Sequence, residues 1–271
     1  WGFDGVVVSD WGAVANRVAA LKAGLDLQMP TTDGATDKQI VQAVREGKLD
    51  ESILDEAARR VLALVEKAQE GAGQVAGPLD VDAHNDLARK AAGRSIVLLR
   101  NEGNLLPLDS DSTIAVIGEF AQKPRYQGAG SSLINPTRLD SAFDEIKALS
   151  TGKVTYAQGF ITEEGAIVED QARLLAQAQA AAADADVAVV FLGLPASAES
   201  EGFDRTSIDL PTHQLEVLDA VRTANPNTVV VLSNGGVVAL PFVDDVPAIL
   251  EAWLLGQAGG GGTADVLFGK V

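Results

Sequence analysis

Cysteine is absent from the 271 residues, which excludes disulfides, zinc–thiolate centres and thiol nucleophiles and leaves the redox compartment open. Histidine occurs only as His84 and His213, so a Ser-His-Asp triad has little to draw on. No cluster of His, Asp and Glu has metal-ligand spacing, so a metal is not implied. No run of eighteen apolar residues is present to span a bilayer, and no basic start leading into an apolar stretch marks a secretory signal. Positive charge is scarce as well. With 21 basic against 38 acidic side chains the net charge is −17, which repels phosphate backbones and anionic membranes and favours a neutral substrate over nucleic acid or lipid. The chain starts at Trp1 rather than methionine, and its first strand comes within a few residues with no partner before it, so it reads as a piece of a longer protein.

What is present is an alternation of apolar strands and amphipathic helices. The length exceeds the roughly 100–200 residues of a usual domain, and a hydrophobic share of 46% is enough for two cores. Residues 6–9 read as a buried strand, 13–23 as an alanine-rich helix and 24–30 as a second short strand closed by Pro30. Helices follow at 37–46 and from the N-cap Asp50 onward. A βαβ unit trailed by helices matches the end of a (β/α) barrel, but two strands cannot close one. Residues 69–82 are glycine-rich and lack either period, as an interdomain linker does. From 83 to 271 alternation resumes, with strands near 95–99, 113–118, 154–156, 187–193, 228–232 and 248–253 and helices between them. Continuous apolar strands of this kind imply a parallel, doubly wound sheet covered on both faces.

Two loops carry the chemistry. Gly5-Val6-Val7-Val8-Ser9-Asp10-Trp11 ends a β-branched run on a carboxylate followed by an aromatic, so Asp10 stands at the mouth of a site and Trp11 beside it as a wall for a sugar ring. Glu199-Ser200-Glu201-Gly202-Phe203-Asp204-Arg205 follows another apolar strand. Paired carboxylates on two loops suit acid and nucleophile work, and either glutamate could be the acid. Charge from Glu199, and burial on closure, would raise the pKa of a neighbouring carboxyl. The plain alternatives are that Asp10 caps a helix and that the second loop is a solvated acidic stretch with an Arg–Asp pair. Tyr126-Gln127-Gly128-Ala129-Gly130-Ser131-Ser132 contains Gly-X-Gly but lacks the third glycine and the helix start of a dinucleotide site. A flexible loop offering Ser and Gln hydroxyl or amide groups to a sugar fits as well. The Gly259–262 run reads as a tight turn before the last helix, and both histidines as surface or capping residues.

Four separated motifs, in order, resemble glycoside hydrolase family 3, the β-glucosidase and β-xylosidase group. They are Gly5 to Trp11, Ala23-Gly24-Leu25-Asp26-Leu27-Gln28-Met29-Pro30, Ser95 to Glu102 with Leu105-Leu106-Pro107-Leu108, and Glu201-Gly202-Phe203-Asp204-Arg205. The resemblance implies the C-terminal part of a (β/α)8-type barrel over residues 1–68, a linker at 69–82 and an (α/β)6 sandwich over 83–271. It implies a retaining exo-acting β-glycosidase, foremost a β-glucosidase, without cofactor or metal. Asp10 would be the nucleophile and Glu201 the acid/base, with Glu199 in reserve; Trp11 would line the −1 subsite and Ser131 reach it from the second domain. The substrate would be a neutral β-linked oligosaccharide or an aryl or alkyl β-glycoside. The earlier barrel strands, with their sugar-holding residues, would come from the same parent protein or a second chain. Competing readings are a β-xylosidase or N-acetyl-β-glucosaminidase of the same family, and an inactive carbohydrate-binding remnant. The incomplete glycine pattern stands against a Rossmann oxidoreductase.

Overall fold

The computed structural model describes residues 2–72, 77–162 and 168–271, with only the backbone at 168 and 169. These fall into two compact units, Trp1–Leu79 and Asp80–Val271.

In the first unit two extended segments run parallel through a single bridge between Val8 and Leu27, supported by Asp26 N–H to Val7 O (3.0 Å) and Ser9 N–H to Leu27 O (2.9 Å). The expected buried strand is therefore one bridge long. Within this unit Val7 and Val8 are 42% and 48% exposed and stand outside its small core. Helix α1 (Arg17–Lys22) is shorter than the 13–23 expected, since the Asn16 side chain accepts from Ala19 N–H (3.0 Å) and sets the start there. α2 (Ala35–Arg45) and α3 (Glu51–Gly71) follow, the latter opened by Asp50, whose carboxylate accepts from Ser52 N–H (2.9 Å). Leu21 of α1, Ile40 and Ala43 on one face of α2, Ala57 of α3 and Leu49 before it form the small core. The span expected as linker, 69–82, is partly helical: α3 continues to Gly71, and α4 (Val81–Ser95) begins after Asp80, which caps Ala83 N–H (2.9 Å). Residues 73–76 of that span lie outside the described ones.

The second unit is a six-stranded sheet in the order β1-β6-β5-β4-β2-β3, where β1 is Val97–Asn101, β2 Ile114–Ile117, β3 Val154–Ala157, β4 Val187–Gly193, β5 Thr228–Ser233 and β6 Ala248–Glu251. All neighbours are parallel except β1 with β6. Every residue of β2, β4 and β6 is buried, as the continuous apolar runs demand. β1 begins two residues later than expected because α4 extends through Ser95, whose hydroxyl donates to Ala91 O (2.8 Å).

Chain direction reverses once in this sheet. β2 leads through α5 (Ala142–Leu149) to β3 on one side, and α6 (Val168–Ala183) then returns the chain across β2 to β4; α7 (Thr212–Ala224) continues away to β5. Right-handed crossovers put α5 on one face and α6 with α7 on the other. The loops that leave the C-terminal ends of the adjacent strands β2 and β4 therefore flank a switch-point crevice.

α8 is Gly259–Leu267, so the glycine run expected as a turn is the first helical turn. Close packing explains it: a Cβ on Gly260 would lie 2.6 Å from Asp140 O, one on Gly261 2.7 Å from Arg89 Nη1, and one on Gly262 2.7 Å from Ala92 Cβ. Arg89 on α4 links the three helices, donating to Asp265 of α8 and Glu145 of α5, both at 2.6 Å. His213, in the first turn of α7, is only partly exposed. Its ring is half-buried edge-on to Phe160 at 5.8 Å, and burial pulls its pKa down against the charge of Glu216. His84 is exposed on α4.

Candidate active site

In the second unit the loop after β4, residues 194–211, meets the loop after β2, residues 118–141. Ala129 and Ser200 form a parallel bridge, and Glu201 N–H donates to Ala129 O (3.1 Å). Ser131 N–H donates to Glu201 Oε2 at 2.6 Å. Close approach requires glycine before it: Gly130 has φ +108°, and a Cβ there would lie 2.5 Å from Glu201 Cβ. The hydroxyl and amide of Ser131 hold the exposed Glu201 carboxyl below the usual glutamate range. This reverses the shift expected from Glu199. Glu199 does not face Glu201 as a free charge but is taken up elsewhere, by Arg125 Nη1 (3.0 Å), Gly235 N–H (3.0 Å) and Gly236 N–H.

A cleft of about 320 Å³ opens here, lined by Glu199, Glu201, Phe203, Asp204, Arg205 and Leu254 among others. Phe203 is exposed, and Arg205 donates to Val237 O (2.6 Å) rather than to Asp204. A second cleft of about 460 Å³ lies across the Arg125 to Ala129 segment, walled by Phe120, Pro124, Tyr126, Leu133 and Pro195. At the end of β6, Glu251 accepts from Trp253 N–H (3.0 Å) and Asn234 Nδ2 (3.3 Å), and burial pushes its pKa up.

In the first unit Asp10 follows the bridged segment and is exposed. Its Oδ1 accepts from Trp11 N–H (2.8 Å), and its carbonyl from Ala13 N–H (3.3 Å). Trp11 is 71% exposed. The Ser9 hydroxyl, accepting from Met29 N–H (2.8 Å), fixes the backbone just before Asp10, as does Gly12 N–H to Met29 O (3.0 Å) just after it.

The support for Asp10 is a residue that pattern reading passes over. Asp26, with a side chain 1% exposed, accepts from Val7 N–H (2.9 Å) and Arg60 Nη1 (3.1 Å), joining both extended segments to α3. Buried Arg17 donates to the carbonyls of Leu25 and Asp26, each at 3.3 Å. The signal for Asp26 was its setting, one acid flanked by Leu25 and Leu27 in an apolar strand. Ser131 was anticipated as a sugar contact, but its amide bond to Glu201, spanning 70 residues of sequence, was not. Among the described residues no group of His, Asp and Glu is arranged to hold a metal ion, and no helix is long and apolar enough to cross a membrane.

Comparison with known proteins adds to this geometry. The model of the "Glycosyl hydrolase family 3 C-terminal domain" matches residues 96–271, and that of the "Glycosyl hydrolase family 3 N terminal domain" matches residues 1–64. Thermostable beta-glucosidase B of Acetivibrio thermocellus is 52% identical over 273 residues, covering 100% of this chain and 36% of that protein. An exo-alpha-(1->6)-L-arabinopyranosidase of Bifidobacterium longum is 45% identical, covering 100% and 36%. The crystal structure of the Bifidobacterium adolescentis GH3 beta-glucosidase superposes with a TM-score of 0.91 at 48% identity, over 100% of this chain and 39% of that one. The chain thus spans little more than a third of the length of these relatives.

Proposed function

The chain belongs to glycosyl hydrolase family 3, and from that premise we propose that it carries both catalytic carboxylates of a retaining, exo-acting β-glycosidase that releases terminal β-D-glucosyl residues. Residues 1–68 form the end of the barrel domain in this reading and 83–271 the sandwich domain; a preceding segment of the protein completes the barrel and the sugar-binding floor. Asp10 attacks the anomeric carbon while Glu201 gives its proton to the departing glycosidic oxygen, leaving a glycosyl ester on Asp10. Glu201, now ionised, takes a proton from water as that water attacks the same carbon and frees Asp10. Trp11 stacks on the C–H face of the −1 sugar, and Ser131 serves it from the sandwich side.

The observation that carries this reading is the exposed Glu201 carboxyl in the switch-point crevice, held by Ser131 N–H. That bond favours the ionised form needed in the second step, and the acid form of the first step requires a seated sugar to strip water from the carboxyl. The test is peptide mass spectrometry of the full-length protein after incubation with a 2-deoxy-2-fluoro-β-glucoside, with a label expected on Asp10. Asp10→Ala is expected to abolish turnover. Glu201→Ala is expected to slow glycosides with poor leaving groups far more than those with good ones and to form a glycosyl azide when azide is added. A label on another residue would refute the nucleophile assignment. The 45% identity to an α-L-arabinopyranosidase favours one second reading of the sugar, since that glycoside also presents an equatorial leaving group. Comparing aryl β-glucoside with aryl α-L-arabinopyranoside decides between the two.

A further inference from the structure

Glu199 stands two residues before Glu201, and its surroundings suit a different task. Its Oε2 accepts from Arg125 Nη1 and Gly235 N–H, both at 3.0 Å, and its Oε1 accepts from Gly236 N–H. The cradle is shaped for it, because a Cβ on Gly236 would lie 2.9 Å from Oε1. The Arg125 side chain is 6% exposed and also donates to the carbonyls of Leu194 (2.5 Å), Pro195 (3.3 Å) and Glu199 itself (2.7 Å). One charged pair therefore ties together the loops that leave β2, β4 and β5.

We propose that the Arg125–Glu199 pair positions the acid/base, an inference that rests on Glu201 having that role. The guanidinium and the two glycine amides hold the 194–199 turn in place. With the turn held, Ser200 stays paired with Ala129, and Glu201 stays within reach of Ser131 N–H. Charge-assisted bonds with buried donors give such a tie its rigidity, and leaving either partner unpaired is costly. Glu199 transfers no proton itself. Its effect reaches the reaction through geometry, where a displacement of about 1 Å at a reacting group costs on the order of 10²-fold in rate.

The experiment compares Glu199→Gln, Glu199→Ala and Glu201→Ala in the full-length protein. Glu199→Gln keeps the volume but turns an NH2 group toward donors. It is expected to lower kcat on alkyl β-glucosides by about 10–100-fold with KM little changed, and to lower kcat on 2,4-dinitrophenyl β-glucoside far less. Azide is expected to yield no glycosyl azide from Glu199→Ala, because Glu201 still fills its place. Glycosyl azide from Glu199→Ala but not from Glu201→Ala would overturn the proposal and make Glu199 the acid. An equal fall on both substrates together with a lowered Tm would also overturn it, reducing the pair to a structural one. Amide hydrogen exchange gives a readout independent of activity. Faster exchange at Gly235, Gly236 and 194–201 in Glu199→Gln supports the tie, and unchanged exchange there refutes it. If the wild-type protein cleaves no glycoside, the catalytic reading fails, while the exchange result still decides whether the tie exists.

Discussion

Gly262→Ala separates helix propensity from packing by sign. Propensity alone favours the change by about 0.5–1 kcal/mol, since glycine inside a helix is the poorer residue by that amount. In α8, however, the added Cβ would meet Ala92 Cβ at 2.7 Å, Gly93 N at 2.8 Å and Arg89 O at 3.1 Å. Carbon–carbon contacts are best at about 3.5–4.0 Å, so α4 would have to retreat by nearly 1 Å. It is poorly placed to do so, because Arg89 on the same stretch of α4 is held by Glu145 and Asp265 at 2.6 Å each. Overpacking of this kind costs about 1–3 kcal/mol, with partial relaxation at the low end.

The net expectation is a loss of about 1–2 kcal/mol, or a fall in Tm of roughly 2–8 °C at about 2–4 °C per kcal/mol for a unit of this size. Thermal unfolding followed by circular dichroism measures it, with urea midpoints as a second reading. Gly71→Ala, where nothing lies within 4 Å of the new Cβ, is the control and is expected to be neutral or slightly stabilising. A Gly262→Ala protein that melts at or above the wild-type temperature would refute the packing argument for the glycine run.

Gly130→Ala places a Cβ 2.7 Å from Glu201 Oε2 at φ +108°; it is expected to keep the fold, at a strain of about 1–3 kcal/mol, while cutting kcat on poor-leaving-group glycosides by roughly 10²-fold, and wild-type kinetics would disprove the contact. Ser131→Ala keeps the amide bond but removes the hydroxyl that lowers the Glu201 pKa, so the alkaline limb of kcat/KM against pH is expected to move to higher pH; a limb that stays put would mean that this hydroxyl does not act on Glu201 in the working enzyme. Asp265 is held below its ordinary 3.8 by hydrogen bonds from Arg89, so its contribution to stability is present above that value and lost as pH falls through the lower folded value. Asp265→Asn is expected to be less stable at pH 7 and to show a shallower acid loss in urea midpoints, and parallel pH curves for the two proteins would refute it.

Much of the second unit was legible because its inner strands β2, β4, β5 and β6 are buried on both faces, whereas Val97, Leu98 and Leu99 of the edge strand β1 stay about half exposed. An apolar run such as Val187-Ala188-Val189-Val190-Phe191-Leu192 has few other places to go. The N-cap Asp50 was legible for a local reason, the side-chain bond to Ser52 N–H two residues on. The glycine run before Thr263 was misread because its cause is not local: the atoms that forbid a side chain belong to Asp140, Arg89 and Ala92. Residues 6–9 have the composition of a buried strand, yet composition reports what a segment can bury, and within this unit Val7 and Val8 stay exposed.

The two glutamates of the acidic loop show the same division at the site itself. Each is a carboxylate after the same strand, and no periodicity or cap distinguishes Glu199 from Glu201. Their donors do, and those donors lie far away in sequence: Arg125 is 74 residues from Glu199, Gly236 37, and Ser131 70 from Glu201. These residues become neighbours only because the chain crosses back over β2 to lay β4 beside it and then adds β5 on the far side. Had β4 been laid on the other edge of β3, the loop carrying Arg125 and Ser131 would not border the acidic loop, and neither carboxylate would have these partners. Strand order is thus the step at which one glutamate becomes a half-buried carboxylate held by Arg125 and two glycine amides and the other an exposed one beside Ser131, which is why the candidate residues are visible in the sequence while their surroundings emerge with the topology.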